Sequence, residues 1–155
     1  MAETAESRLV RLGLELPAAA APVANFVPCV QSGTLLFVSG QISTWNGELR
    51  YIGKVGQDVS TDDARAAARL CGLNLIAQAR AFLQSLERIT RVCLVQVFIN
   101  AIPGFGDHPL VANGVSDLLV EVFGPGNGQH ARFAVGSGSL PFNAAVEAAA
   151  VFEVR

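Results

Sequence analysis

An α+β fold is predicted for this chain of 155 residues, with one mixed β-sheet and two helices packed on one of its faces. Strand-like segments cluster near both ends and once in the middle, and two long helical patterns each precede a strand. No repeat or linker divides the chain, so residues 1–155 read as one domain, with 1–25 as an N-terminal arm. The composition is 51% hydrophobic and 15% charged, with a mean hydropathy of +0.41. So apolar a small chain hides surface either in a membrane or against other copies of itself. No apolar run reaches the roughly 18–20 residues of a spanning helix, because Gln41, Asn74 and Glu147 interrupt the richest stretches. A soluble homo-oligomer is expected, its sheets packed face to face.

Leu12, Leu14 and Leu16 alternate before PAAAAPVAN, which reads as an extended arm and a stiff connector. A first strand is expected over 26–31, turning at Ser32-Gly33 into a second over 35–39. Residues 40–59 are Gly-rich and read as a long loop with a short strand near 49–52. Ser60 suits an N-cap, with Asp63 at capping-box spacing. Ala64, Ala67, Ala68, Cys71, Leu75 and Phe82 then recur at helical steps, a stripe small enough to lie close on a sheet. Residues 92–102, VCLVQVFINAI, are apolar on both faces and read as a central strand ended by Pro103-Gly104. A second helix begins near Asp107, tolerates Pro109 in its first turn, and carries Leu110, Val111, Val115, Leu118, Leu119 and Val122 inward. Gly124 suits its C′ position, and GPGNGQ reads as a helix stop and turn, since it lacks the Gly-Lys-Ser/Thr ending of a phosphate loop. His130 to Val154 then reads as a terminal hairpin.

Several function classes are disfavoured. The N-terminus has no basic segment followed by an apolar block, so no secretory signal is read and a cytoplasmic location is expected. Cys29, Cys71 and Cys93 are odd in number and set among apolar residues, as buried reduced thiols are. Two histidines without paired spacing argue against a metal site. The net charge is −2 and the cations are ten scattered Arg plus Lys54. That lacks the basic stripe of a nucleic-acid face.

The terminal segment raises the central question, because each of its strands carries one charge among small residues: Arg132 and Glu147. The midpoint between them falls at Ser139–Leu140, so a hairpin turning there sets them opposite each other. A cross-strand ion pair is one reading. The other is a pocket in which a guanidinium fork holds a carboxylate and Glu147 handles a proton or a water.

These residues resemble the reactive intermediate deaminase family, the YjgF-like proteins, from about Phe26 to Val154, in a longer-loop subgroup. LLFVSGQI, VFIN and above all Arg-x(7)-Leu-Pro-x(5)-Glu carry the resemblance. It implies a chorismate-mutase-like fold, a homotrimer, and a cleft between adjacent subunits. Arg132 is then expected to bind the substrate carboxylate and Glu147 to position the attacking water. Ser39, Asn113, Phe26 and Ala134 fall at further ligand-facing positions. The implied reaction is hydrolysis of a small 2-imino acid or enamine to a 2-keto acid and ammonia, with no cofactor. Burial would raise the Glu147 pKa and Arg132 would lower it.

Three positions depart from the pattern. Phe26 stands where the family has tyrosine, Ala134 where many members carry cysteine, and Ala149 replaces a second glutamate. The arm and the loop holding Trp45 and Tyr51 are extensions. Both aromatics are read as packing against a neighbouring subunit rather than lining a pocket, His130 as an exposed strand-start residue, and Gly114 as a close helix–sheet approach. A non-catalytic carboxylate binder on the same cleft is the alternative, separable because loss of Glu147 would spare binding. An endoribonuclease is ranked last, since the lone Lys and the acidic balance argue against the phosphate contacts it would need.

Overall fold

The computed structural model describes residues 2–22 and 24–155; Met1 and Val23 of the expected arm lie outside them. In chain order the elements are α1 (Ala5–Arg11), β1 (Cys29–Ser32), β2 (Leu35–Ile42), β3 (Thr44–Trp45), β4 (Glu48–Leu49), α2 (Thr61–Leu83), β5 (Ile89–Asn100), α3 (His108–Gly128), β6 (Ala131–Ser137) and β7 (Val146–Val154). Five strands form one mixed sheet in the order β1-β2-β7-β5-β6, and β3-β4 is a separate small hairpin. Within this sheet β5 and β6 pair in parallel, and α3 supplies the crossover that such a pair needs. The predicted α+β fold is present.

Both long helices lie on one sheet face. Ser60 caps α2 by accepting from the Asp63 backbone N–H, and Ala64, Ala67, Ala68, Cys71 and Leu75 are fully buried. The stripe lies close enough for the Cys71 thiol to donate to the Val146 carbonyl at 3.4 Å. Phe82 and Leu110, placed inward by spacing, are 45% and 49% exposed. At 3.6 residues per turn the stripes run through Ala79 to Leu83 and from Val111 to Val115, which rotates both side chains outward. Gly114 serves helix–helix rather than helix–sheet approach: a Cβ there would stand 2.1 Å from the Arg65 carbonyl oxygen on α2. Phe152, the largest fully buried side chain, packs against Phe123 with centroids 5.9 Å apart. Truncating it to Ala costs about 3–5 kcal/mol.

The arm opens with a helix rather than an extended segment. Thr4 and Ser7 form a reciprocal capping box, Ala5 and Leu9 join the core, and Glu6 pairs with Arg80 of α2 at 3.1 Å. A helix of seven residues has little stability of its own, so tertiary packing creates it. Phe26 precedes the first strand, which starts at Cys29. The short strand of the long loop lies at Glu48–Leu49, where it pairs with β3. Trp45 packs under Arg50, whose guanidinium carbon lies 5.8 Å from the ring centroid, and Tyr51 packs against the core.

The terminal hairpin does not form. β6 is an edge strand on β5, and β7 sits on the other side of β5, between it and β2. The face away from the helices carries Val30, Phe37, Phe133 and Val135, each between 40% and 51% exposed.

Candidate functional site

Arg132 and Glu147 therefore do not face each other. Arg132 is in register with Val95, and Val95 with Ala150, all on the helix side. Glu147 is in register with Phe98, and Phe98 with Val135, on the open side. Two strand spacings and three residues of offset put about 14 Å between the two Cα atoms. Among the described residues no ion pair involves either group. The cross-strand pair expected from the hairpin is overturned, and two half-sites replace it.

The first half-site is built by β6 and α3. Asn113 and Ser116, three residues apart on α3, share a face toward the sheet edge. Arg132 Nη1 donates to Asn113 Oδ1 at 2.9 Å and to Ser116 Oγ at 3.1 Å. Ala134, two residues along, lies on the same face and packs against the core. His130 is not an exposed strand-start residue: Nε2 lies 2.9 Å from Ser116 Oγ and Nδ1 lies 2.6 Å from the Gly128 carbonyl oxygen. Burial, with Arg132 adding to it, holds the His130 pKa below its ordinary value. A groove of about 340 Å³ runs past Ser116, Val120, Gln129, His130 and Arg132.

The second half-site is built by β2 and β7. A bulge sets Ser39 and Gly40 against Ala149 alone. Gly40 there leaves room for the Glu147 carboxylate, since a Cβ would meet Oε1 at 2.3 Å. Ser39 Oγ donates to the Val27 carbonyl at 2.9 Å, and Ser39 N–H to that of Pro28 at 2.8 Å. These bonds bring the segment of Phe26, itself 52% exposed, to the bulge. Gly40, Phe98, Leu140, Glu147, Ala148 and Ala149 line a largely apolar cavity of about 320 Å³. Burial there raises the Glu147 pKa above the usual carboxylate value. Of the two opposing effects expected on this group, burial prevails, because Arg132 is behind the sheet.

The candidate residues thus fall into two groups: Glu147 on the open side, with Ser39 at the neighbouring bulge and Phe26 in the segment tied to that bulge, and Asn113, Arg132 and Ala134 beside α3. Gly40, Ser116 and His130 join them. The Asn-x-x-Ser spacing was a signal for Ser116, whereas Gly40 was hidden inside LLFVSGQI, just past the stretch that reads as strand. Burial pushes the Cys29 thiol up to about 11 and Cys71 higher still, so neither suits a nucleophile. Among the described residues no cluster of His, Cys, Asp or Glu could hold a metal ion, and no helix is long and apolar enough to cross a membrane.

The family described as "YjgF/chorismate mutase-like, putative endoribonuclease" matches residues 6–153. Protein TCP17 of Trypanosoma cruzi is 45% identical over 149 residues, 96% of this chain and 93% of that one. The crystal structure of Atu1372 from Agrobacterium tumefaciens, of unknown function, superposes with a TM-score of 0.90 at 44% identity, over 98% of this chain and 94% of that one. A Shewanella oneidensis protein named as a putative endoribonuclease superposes with a TM-score of 0.93 at 36% identity, over 97% and 99% of the two chains. This chain belongs to the YjgF/chorismate-mutase-like family. Both structures cover the arm and long loop as well, so these extensions are shared with relatives.

Proposed function

We propose that the protein hydrolyses small 2-imino acids to 2-keto acids and ammonia at a cleft completed between copies of the chain. The observation that carries this reading is the position of Glu147. A half-buried carboxylate with no counter-charge among the described residues, on the floor of an apolar cavity, does nothing for stability and is suited to proton transfer. Arg132, likewise held by neutral partners, keeps its charge for an anion.

The chemistry needs little more. Arg132 of one copy holds the substrate carboxylate and orients the electrophilic C=N carbon. Glu147 of the next accepts a proton from water as its oxygen bonds to that carbon, and the C=N electron pair moves to nitrogen. Glu147 returns that proton to nitrogen to give a carbinolamine. A second proton, passed from the new hydroxyl to nitrogen through Glu147, lets ammonia leave as the C–N bond breaks and the C=O forms. A raised pKa brings Glu147 closer to the range of an efficient base. A homotrimer joined through the apolar open face would supply the second copy.

The test is ammonia release from imino acids generated in situ by an amino-acid oxidase. Acceleration is expected with wild type, and a loss of about 10²–10⁴-fold in both Arg132→Ala and Glu147→Ala. No acceleration by folded wild-type oligomer, with carboxylate binding intact, would leave a binding protein instead.

A further inference from the structure

Arginine has five N–H donors, and their direction matters more than their number. In Arg132 both described bonds leave from Nη1, toward Asn113 Oδ1 and Ser116 Oγ. Nε and Nη2, the edge that pairs bidentately with a carboxylate, have no partner among the described residues.

What holds Nη1 continues beyond Ser116. A backbone carbonyl only accepts, so the 2.6 Å contact between His130 Nδ1 and the Gly128 oxygen requires the proton on Nδ1. The ring favours its neutral form, because burial, with the Arg132 charge adding to it, lowers its pKa. Its Nε2 is then an acceptor, and the hydroxyl 2.9 Å away must donate to it. With its proton committed to His130, the Ser116 oxygen presents its lone pairs to Arg132. Each link fixes the direction of the next: Arg132 to Ser116, Ser116 to His130, His130 to Gly128.

The last link depends on the end of α3. Regular helix stops at Gly124, with φ +83°, and the following residues wind back over the helix. Gly128 lies so close that a Cβ would stand 2.7 Å from the Leu119 oxygen and from the Val120 Cα. That approach brings its carbonyl to His130.

We propose that Ser116 and His130 are positioning residues, which lock the Arg132 guanidinium so that its Nε–Nη2 edge faces a ligand carboxylate. This rests on the reading of Arg132 as the carboxylate-binding group. It assigns His130 an indirect role, through Ser116, with no contact to substrate.

The test compares binding of 2-oxobutanoate and 2-oxobutanamide, which differ only at the carboxylate, by wild type, Ser116→Ala, His130→Leu, His130→Gln and Arg132→Ala. Ser116→Ala and His130→Leu should each weaken the acid about tenfold, the effect of one hydrogen bond to a charged group. The amide should bind unchanged. His130→Gln, whose Oε1 still accepts from Ser116, should restore most of the preference. In wild type, ¹⁵N NMR should show His130 protonated on Nδ1, a readout that needs no variant. If the acid binds Ser116→Ala and His130→Leu as it binds wild type while Arg132→Ala loses it, the lock is wrong and the Arg132 reading stands. If Arg132→Ala binds like wild type, or wild type does not prefer the acid, the Arg132 reading itself fails and takes the lock with it. A His130 protonated on Nε2 overturns the chain of donors outright.

Discussion

Arg132 and Glu147 belong to one short motif and lie on opposite faces of the sheet, with β5 between their strands. A pair so placed cannot act on one small molecule within a single copy. Either the two charges have unrelated roles, or the sheet edge of one copy meets the open face of another. In the second case each site takes its guanidinium and its carboxylate from different chains.

Mixed assemblies distinguish these cases. Arg132→Ala and Glu147→Ala are expected to be inactive alone. Refolded together, they should recover about a quarter of the wild-type rate, from random assortment around a closed ring of three. Deaminase assays on the purified mixture check this. If both groups served one substrate from the same chain, no proportion of the two variants would recover activity.

The open face should hold the assembly together. Phe37 and Phe133 are 45% and 40% exposed there, and large apolar side chains left open on one sheet face suit contact with another copy. Phe37→Asp should leave the protomer folded by circular dichroism, because the side chain is outside the core. Light scattering should show the assembly reduced to monomers, and deaminase activity should fall with it. A variant that stays assembled would place the contact elsewhere.

Much of this architecture was legible in local signals. Ser60 caps α2, Gly124 breaks α3 with positive φ, and the doubly apolar segment is the long interior strand. The motif residues were legible by resemblance, but their geometry was not. Adjacency in sequence suggested that β6 and β7 pair, yet β5 has twelve residues whose two edges both need hydrogen-bond partners. Each strand satisfies one edge, and the eight residues from Gly138 to Ala145 carry the chain past its end. No periodicity encodes that choice. His130 was illegible for a related reason: its partner carbonyl arrives only because the end of α3 folds back.

The raised pKa of Glu147 gives stability a definite pH dependence. Its folded-state value lies above the ordinary 4.5 because burial penalises the charge. Between the unfolded and folded values the native state holds the extra proton, so stability falls as pH rises through that window. Glu147→Gln removes the titration. Its melting temperature should exceed that of wild type at neutral pH, and the advantage should shrink as pH falls below the ordinary value. Melting curves from about pH 4 to pH 8 check this. A variant less stable than wild type at neutral pH would mean that the native fold favours the charged carboxylate.

Two glycines separate function from fold. A Cβ at Gly40 would meet Glu147 Oε1 at 2.3 Å, and one at Gly114 would meet the Arg65 carbonyl oxygen at 2.1 Å. The clashes are similar in distance and opposite in consequence. A carboxylate at the end of a flexible side chain swings aside, whereas a helix backbone does not. Gly114→Ala should therefore destabilise by about 3 kcal/mol, as overpacking does when nothing can yield. Gly40→Ala should stay within about 1 kcal/mol of wild type in denaturant titrations. Its activity should nonetheless fall by about 10²-fold, because displacing the base by an ångström costs that much. Full activity in Gly40→Ala would mean that Glu147 need not sit where the bulge holds it, and would remove the carboxylate from the chemistry.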